Sequence, residues 1–158
     1  MLTNRQSPGG PDPTGRRDGY HEEFTMSQNV QQGAAERTVD HAAAAERYLV
    51  AWNATEEGAR AKAVAAAFTE GATYTDPLAE VAGHDGLAAA IAGAHEQFPG
   101  FVFRPLGVVD GHHDIARFGW ELVAPDGSAP VAGFDVVRLA EDGRIRSVLG
   151  FLDRVPAR

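Results

Sequence analysis

At Gly100 the chain changes its hydrophobic period, and that switch constrains the fold more than any other feature. Before it, Ala45, Tyr48, Leu49 and Trp52 fall at i, i+3, i+4 and i+7, one apolar stripe along a helix. After it, apolar and polar residues alternate with the period of a strand whose two faces differ. Helices followed by a run of strands give an α+β chain rather than an alternating α/β one. The spacing predicts helices over residues 39–53, 57–68 and 87–98, with Gly71 ending the second and Pro99-Gly100 the third. A short strand, ATYTDP, lies between the last two helices and closes at Pro77, which lacks a ladder N–H. Four further strands are predicted at 101–110, 115–123, 131–139 and 144–152. Turn chemistry joins them: Asp110-Gly111, then Ala124-Pro125-Asp126-Gly127, then Ala140-Glu141-Asp142-Gly143. The expected architecture is a cone-shaped, curved antiparallel sheet with three N-terminal helices packed in its concave face. Such a shape leaves a pocket at the open end.

The first 37 residues have a different composition. SPGGPDPTGRRDG is rich in Pro and Gly, QNVQQG is polar, and neither offers enough apolar surface to offset the entropy of ordering. This stretch reads as a disordered tail, with Met26 an alternative start, and residues 38–158 as one domain. The chain has 158 residues and a net charge of −8, of which only −1 lies in the tail. An acidic domain lacks the basic footprint that nucleic-acid binding or a polybasic membrane contact requires. Cysteine is absent, which removes disulfides, thiolate nucleophiles and thiolate metal sites. No apolar run is long enough to span a bilayer and no apolar signal segment opens the chain. A cytoplasmic location is expected.

Three polar residues sit where simple packing would not place them. Tyr48 lies on the apolar stripe of the first helix, so its hydroxyl points inward and needs a partner. Asp76 ends the first strand, a position that also suits a turn-forming residue before proline. Asp135 sits mid-strand in GFDVV, where Asp is depleted and a buried charge is costly unless paired or neutralised. Three-residue hairpin loops on both sides would set Asp135 opposite Arg117 and Leu149. That pairing would keep Asp135 ionised, and a one-residue slip would leave it among apolar neighbours. Other polar groups carry less. His112 and His113 are adjacent on a strand and point to opposite faces, which disfavours a shared metal. His84 and Asp85 read as capping residues at a helix start, and His95 as a surface histidine, with a pocket-facing position the alternative.

RYLVAWNA (47–54), FTEGATYTDP (68–77) and GFDVVRLAEDGRIRSVLGFLD (133–153) together resemble the nuclear transport factor 2-like superfamily. Within it they are similar to SnoaL-like polyketide cyclases and ketosteroid isomerases. The resemblance covers residues 38–154. It implies the cone fold, a hydrophobic pocket and a cofactor-free isomerase or cyclase acting on a hydrophobic carbonyl compound. By that resemblance Asp76 is the general base, and Tyr48 with a protonated Asp135 donates to the enolate oxygen. Arg117 departs from the isomerase pattern; facing the pocket, it would pair with Asp135 or bind an anionic substrate group. Arg117, Trp52, Trp120 and Phe134 are the candidate substrate-binding residues. Period two sends Phe118 and Trp120 to one sheet face and Arg117 to the other, leaving open which face lines the pocket. The opposite face suits a homodimer contact. The triad of limonene epoxide hydrolase is not matched, because Gly119 and Gly150 stand where its two acids would be. The alternative on the same fold is a non-catalytic module that binds a small ligand or another protein.

Overall fold

A computed structural model describes residues 39–156; the expected tail and Met26 lie outside them. Three helices, α1 (His41–Asn53), α2 (Glu57–Ala67) and α3 (Gly83–Gln97), accompany six strands. These are β1 (Phe68–Thr75), β2 (Glu80–Ala82), β3 (Val102–His112), β4 (Ile115–Val123), β5 (Val131–Leu139) and β6 (Ile145–Arg154). They form one unclosed sheet in the order β2-β1-β6-β5-β4-β3. Every neighbouring pair is antiparallel except β1 with β6, which run parallel. The sheet curves around the helices, and the α+β cone architecture is as expected.

Local chemistry explains the helix starts. Asp40 caps α1, its Oδ1 accepting the Ala43 amide at 3.0 Å; such a cap is worth about 1 kcal/mol. The stripe on α1 then buries Ala44, Ala45, Tyr48, Ala51 and Trp52. At its end the Asn53 amide bonds both the N–H and the C=O of Phe103, each at 2.8 Å, which clamps α1 to β3. From α3, Leu87 and Ile91 are fully buried, each stabilising by roughly 1.5–3 kcal/mol relative to exposure. His95 is no free surface residue: its Nε2 meets the Trp52 carbonyl at 2.6 Å, joining α3 to the end of α1.

Several boundaries differ from the sequence expectation, each for a visible reason. Gly71 does not end α2. Phe68 is fully buried and already extended, so β1 begins there and runs through Gly71. The short β2 pairs with β1 across the turn after Asp76. His84 and Asp85 lie inside α3 and neither caps it; His84 Nε2 meets the Phe68 carbonyl at 2.9 Å. Asp110-Gly111 is not a turn. Gly111 pairs with Ala116, and a Cβ there would fall 2.5 Å from the His41 ring; the chain reverses instead at His113, which takes φ 49°.

The two later hairpins carry the expected loops. Ala124 bonds Ser128, Ala140 bonds Arg144, and Gly127 and Gly143 both take φ 87°, conformations that glycine adopts without strain. Each ladder nevertheless slips by one residue beyond its loop. On one side Leu122 pairs with Val131, one residue past the loop's register; Pro130, which has no N–H, lies in the intervening step. On the other, the register shifts between Arg138 and Leu139. Asp135 therefore faces Phe118 and Gly150, not Arg117 and Leu149.

Candidate active site

That slip decides the electrostatics of the concave face. Ala116, Phe118, Trp120 and Leu122 of β4 point inward with Val131, Gly133, Asp135 and Val137 of β5, and all are buried. Arg117 points outward, its side chain 69% exposed and paired with Asp110 at 3.3 Å. It does not line the concave cavity, because alternation fixes it on the convex face once Phe118 is inside. Phe134 is outside by the same rule. It stacks on Phe151 with ring centroids 5.0 Å apart and is absent from the lining of the concave cavity.

The open end of the cone holds a cavity of about 800 Å³. Tyr48, Trp52 and Trp120, expected from the sequence, line it together with Asp76. Tyr74, Phe98 and Phe103 complete an aromatic wall, with Leu78, Gln97, Leu152 and Val155 among the remaining contacts. The rings pack on one another: Tyr48 lies 6.1 Å from Trp52, Trp52 5.5 Å from Tyr74, and Phe103 5.4 Å from Trp120. The Trp52 Nε1–H is buried without a hydrogen-bond partner among the described residues.

Asp76 sits where β1 ends, and its turn fixes its direction. Oδ1 accepts the Leu78 and Ala79 amides at 2.7 and 2.8 Å, while its own N–H donates to the Ala79 carbonyl at 2.9 Å. Oδ2 accepts the Tyr74 hydroxyl at 2.6 Å. The residue is thus both a turn former and a cavity residue. Of the lining residues that sequence reasoning missed, Tyr74 is the one bonded to Asp76. The signal was present in TYTDP: two residues before Asp76 on a strand, Tyr74 shares the inward face. Burial, then the hydrogen bond to Asp76, push its phenol pKa up.

Asp135 is 1% exposed and lies behind the cavity wall rather than in it. Its Oδ2 accepts the Trp120 Nε1–H at 3.0 Å. Burial pushes its pKa up to about 7; the Tyr48 and Trp120 donors oppose that shift, and the charge of Asp76 adds to it. Burial likewise raises the Tyr48 phenol, with the Asp135 charge the next cause. Tyr48, Tyr74, Asp76, Trp120 and Asp135 therefore form one polar group inside an aromatic cone. Among the described residues no set of three or more His, Asp or Glu side chains could hold a metal, so His112 and His113 are not ligands of such a set. No helix among them is long and apolar enough to cross a membrane.

Comparison with known proteins agrees with the fold. The SnoaL-like domain family matches residues 45–148. A crystal structure named as a candidate isomerase of the SnoaL-like family, from Agrobacterium tumefaciens, is 42% identical, covering 73% of this chain and 99% of that one, with a TM-score of 0.70. A candidate SnoaL-like polyketide cyclase from Jannaschia sp. is 20% identical over 72% of this chain and 85% of that one, with a TM-score of 0.58. An NTF2-like protein of unknown function from Exiguobacterium sp. is 22% identical over 70% and 98%, with a TM-score of 0.56. No protein with a curated description matches the chain. With a domain match across most of the cone and a relative of 42% identity spanning nearly its whole length, this chain belongs to the SnoaL-like family.

Proposed function

We propose that the cavity is the active site of a cofactor-free isomerase or cyclase that removes a proton alpha to the carbonyl of a hydrophobic substrate. Asp76 takes the proton. Its Oδ1 is saturated by two backbone amides, so Oδ2, which has a lone pair beyond the Tyr74 bond, is the basic atom. The Tyr48 hydroxyl donates to the carbonyl oxygen as enolate charge develops, a contribution of roughly 2–4 kcal/mol in comparable sites. Asp135 backs that phenol. Protonated, it no longer competes for the phenol proton and leaves Tyr48 free to donate into the cavity. Ionised, it draws that proton toward itself.

The single observation that carries this reading is the pairing of environments on two neighbouring carboxyls. Asp76 is held by three donors as an acceptor, whereas burial favours the neutral form of Asp135. Two neighbouring carboxyls in unlike surroundings suit different tasks, here a proton acceptor and a group that backs the phenol. The candidate isomerase name of the 42% identical relative points the same way. The test is conversion of a β,γ-unsaturated ketone to its conjugated enone, followed by ultraviolet absorbance. Turnover lost in Asp76→Asn supports the reading. No turnover across a varied ketone panel rejects it, and saturable binding of the same ketones then favours the non-catalytic module.

The reading extends to assembly. The convex face exposes Leu106, Leu149 and Phe151 beside Phe134, an apolar patch of the kind that two identical sheets bury against each other. Sedimentation of the full chain should give a dimer; a monomer at high micromolar concentration rejects that part.

A further inference from the structure

The inner face of the sheet lacks two side chains at the points where Asp135 needs space. At Gly150, directly across from Asp135, an added Cβ would lie 2.7 Å from Asp135 Oδ1 and 3.1 Å from the Cβ of Asp76. At Gly133, directly across from Trp120, it would lie 2.7 Å from the indole ring. Real Cβ contacts of 2.7 Å do not persist, so a side chain at 150 would displace the acid, and one at 133 would press on the indole and, closer still, on the backbone carbonyl of Phe151. The indole occupies the hollow over Gly133 and from there donates to Oδ2 of Asp135. The other oxygen, Oδ1, lies over Gly150 beside Asp76.

We propose that Trp120 and Gly150 are positioning residues for Asp135: the indole fixes one carboxyl oxygen, and the bare backbone at 150 lets the other approach Asp76, so that the charge on Asp76 bears on Asp135. This deepens the acid–base reading above and rests on it for its catalytic meaning, but that influence is a property of the folded protein with or without turnover. The groups that act on Asp135 come from every element around it. They are Tyr48 from α1, Trp120 from β4, and Asp76 from the turn after β1, with Tyr74 of β1 sensing the same charge. Two of these pull in opposite directions. The indole N–H favours the charged carboxylate, and the Asp76 charge disfavours it.

The experiment is a pH titration of the full chain, read by the infrared carbonyl band of protonated carboxylic acid and assigned by its loss in Asp135→Asn. Trp120→Phe keeps an aromatic ring and removes the donor. It should raise the Asp135 midpoint by about one pH unit, a tenfold change in proton affinity, as expected for one lost bond to a charged group. Asp76→Asn should lower the same midpoint. In Gly150→Ala the Asp76→Asn substitution should lose most of its effect, because the new methyl separates the acids. A residue that merely fills space would not move the midpoint in a signed way. The proposal is overturned when Trp120→Phe leaves the midpoint unchanged or lowers it. It is equally overturned when Asp76→Asn shifts it by the same amount with and without the Gly150→Ala methyl. Should Trp120→Phe fail to fold, the Gly150 comparison decides alone. Absence of ketone turnover, by contrast, bears only on the function proposed above.

Discussion

The two faces of the sheet treat acidic side chains in opposite ways. On the convex face Asp110, Asp114 and Glu121 meet arginines: Arg117, Arg138 with Arg146, and Arg104 with Arg154. Hydrogen bonds from those arginines hold Asp114 and Glu121 below the usual carboxylate range. On the concave face Asp135 meets an indole and a phenol in place of a cation, and burial drives its pKa up instead. Cations outside stabilise ions in water; neutral donors inside hold a carboxyl near the point where it gains or loses a proton at neutral pH. The difference is made by strand alternation and by a one-residue register slip, since Arg117 and Phe118 are adjacent in the chain.

The strongest way to break this contrast is to remove the inner base. Asp76→Asn should lower enone formation by about 10²–10⁴-fold, the usual worth of a positioned general base, measured as kcat/KM. Stability against pH is the next largest effect. Asp135 has a folded pKa of about 7, raised above its ordinary 3.8. Between those values the folded state holds the extra proton, so this group's contribution is full below about 4 and is lost as pH rises through about 7. At ~1.4 kcal/mol per unit the contribution is roughly 4 kcal/mol. Urea unfolding of Asp135→Asn should lack that downward slope, and an identical slope in both proteins would contradict the buried acid.

Gly133→Ala tests the packing that seats the indole. Its methyl meets both the Phe151 backbone carbonyl and the Trp120 ring, so it should destabilise by about 1–3 kcal/mol in the same assay, the usual cost of overpacking. The smallest effect belongs to the outer face. Arg117→Ala should leave ketone turnover unchanged and shift thermal unfolding little, with the shift vanishing in high salt. A clear loss of turnover in that variant would return Arg117 to the pocket and remove the contrast between the faces.

The fold was legible because its strongest signals are local. The helical stripe on α1, the alternation after Gly100 and the Gly-bearing hairpin loops each follow from a few neighbouring residues. Tyr48, Trp52, Asp76 and Trp120 were named from the sequence and all four line the cavity; Tyr48 was legible as a polar residue on an apolar stripe, whereas the face of Trp120 was not. Arg117 and Phe134 were misplaced because face assignment depends on register. Register here turns on one residue in each of two hairpins, a step invisible in the alternation itself. Tyr74 was passed over because it reads as an ordinary strand aromatic. Its partnership with Asp76 depends on the turn that brings the carboxylate back toward its own strand. The roles of Gly133 and Gly150 depend on what stands across from them, which only pairing reveals.

Strand β6 lies between β1 and β5 and runs parallel to β1, so the last of the six strands in chain order is an interior one. Until it emerges, β1 and β5 have no shared partner and the funnel has no back wall. Closure then joins segments about seventy positions apart, such as Tyr74 with Val148, and such distant joins slow folding. A nascent chain halted before residue 145 would hold the helices and β3–β5 with a raw sheet edge on each side. It would be prone to sticking, and it would carry both acids with nothing yet to bring them together.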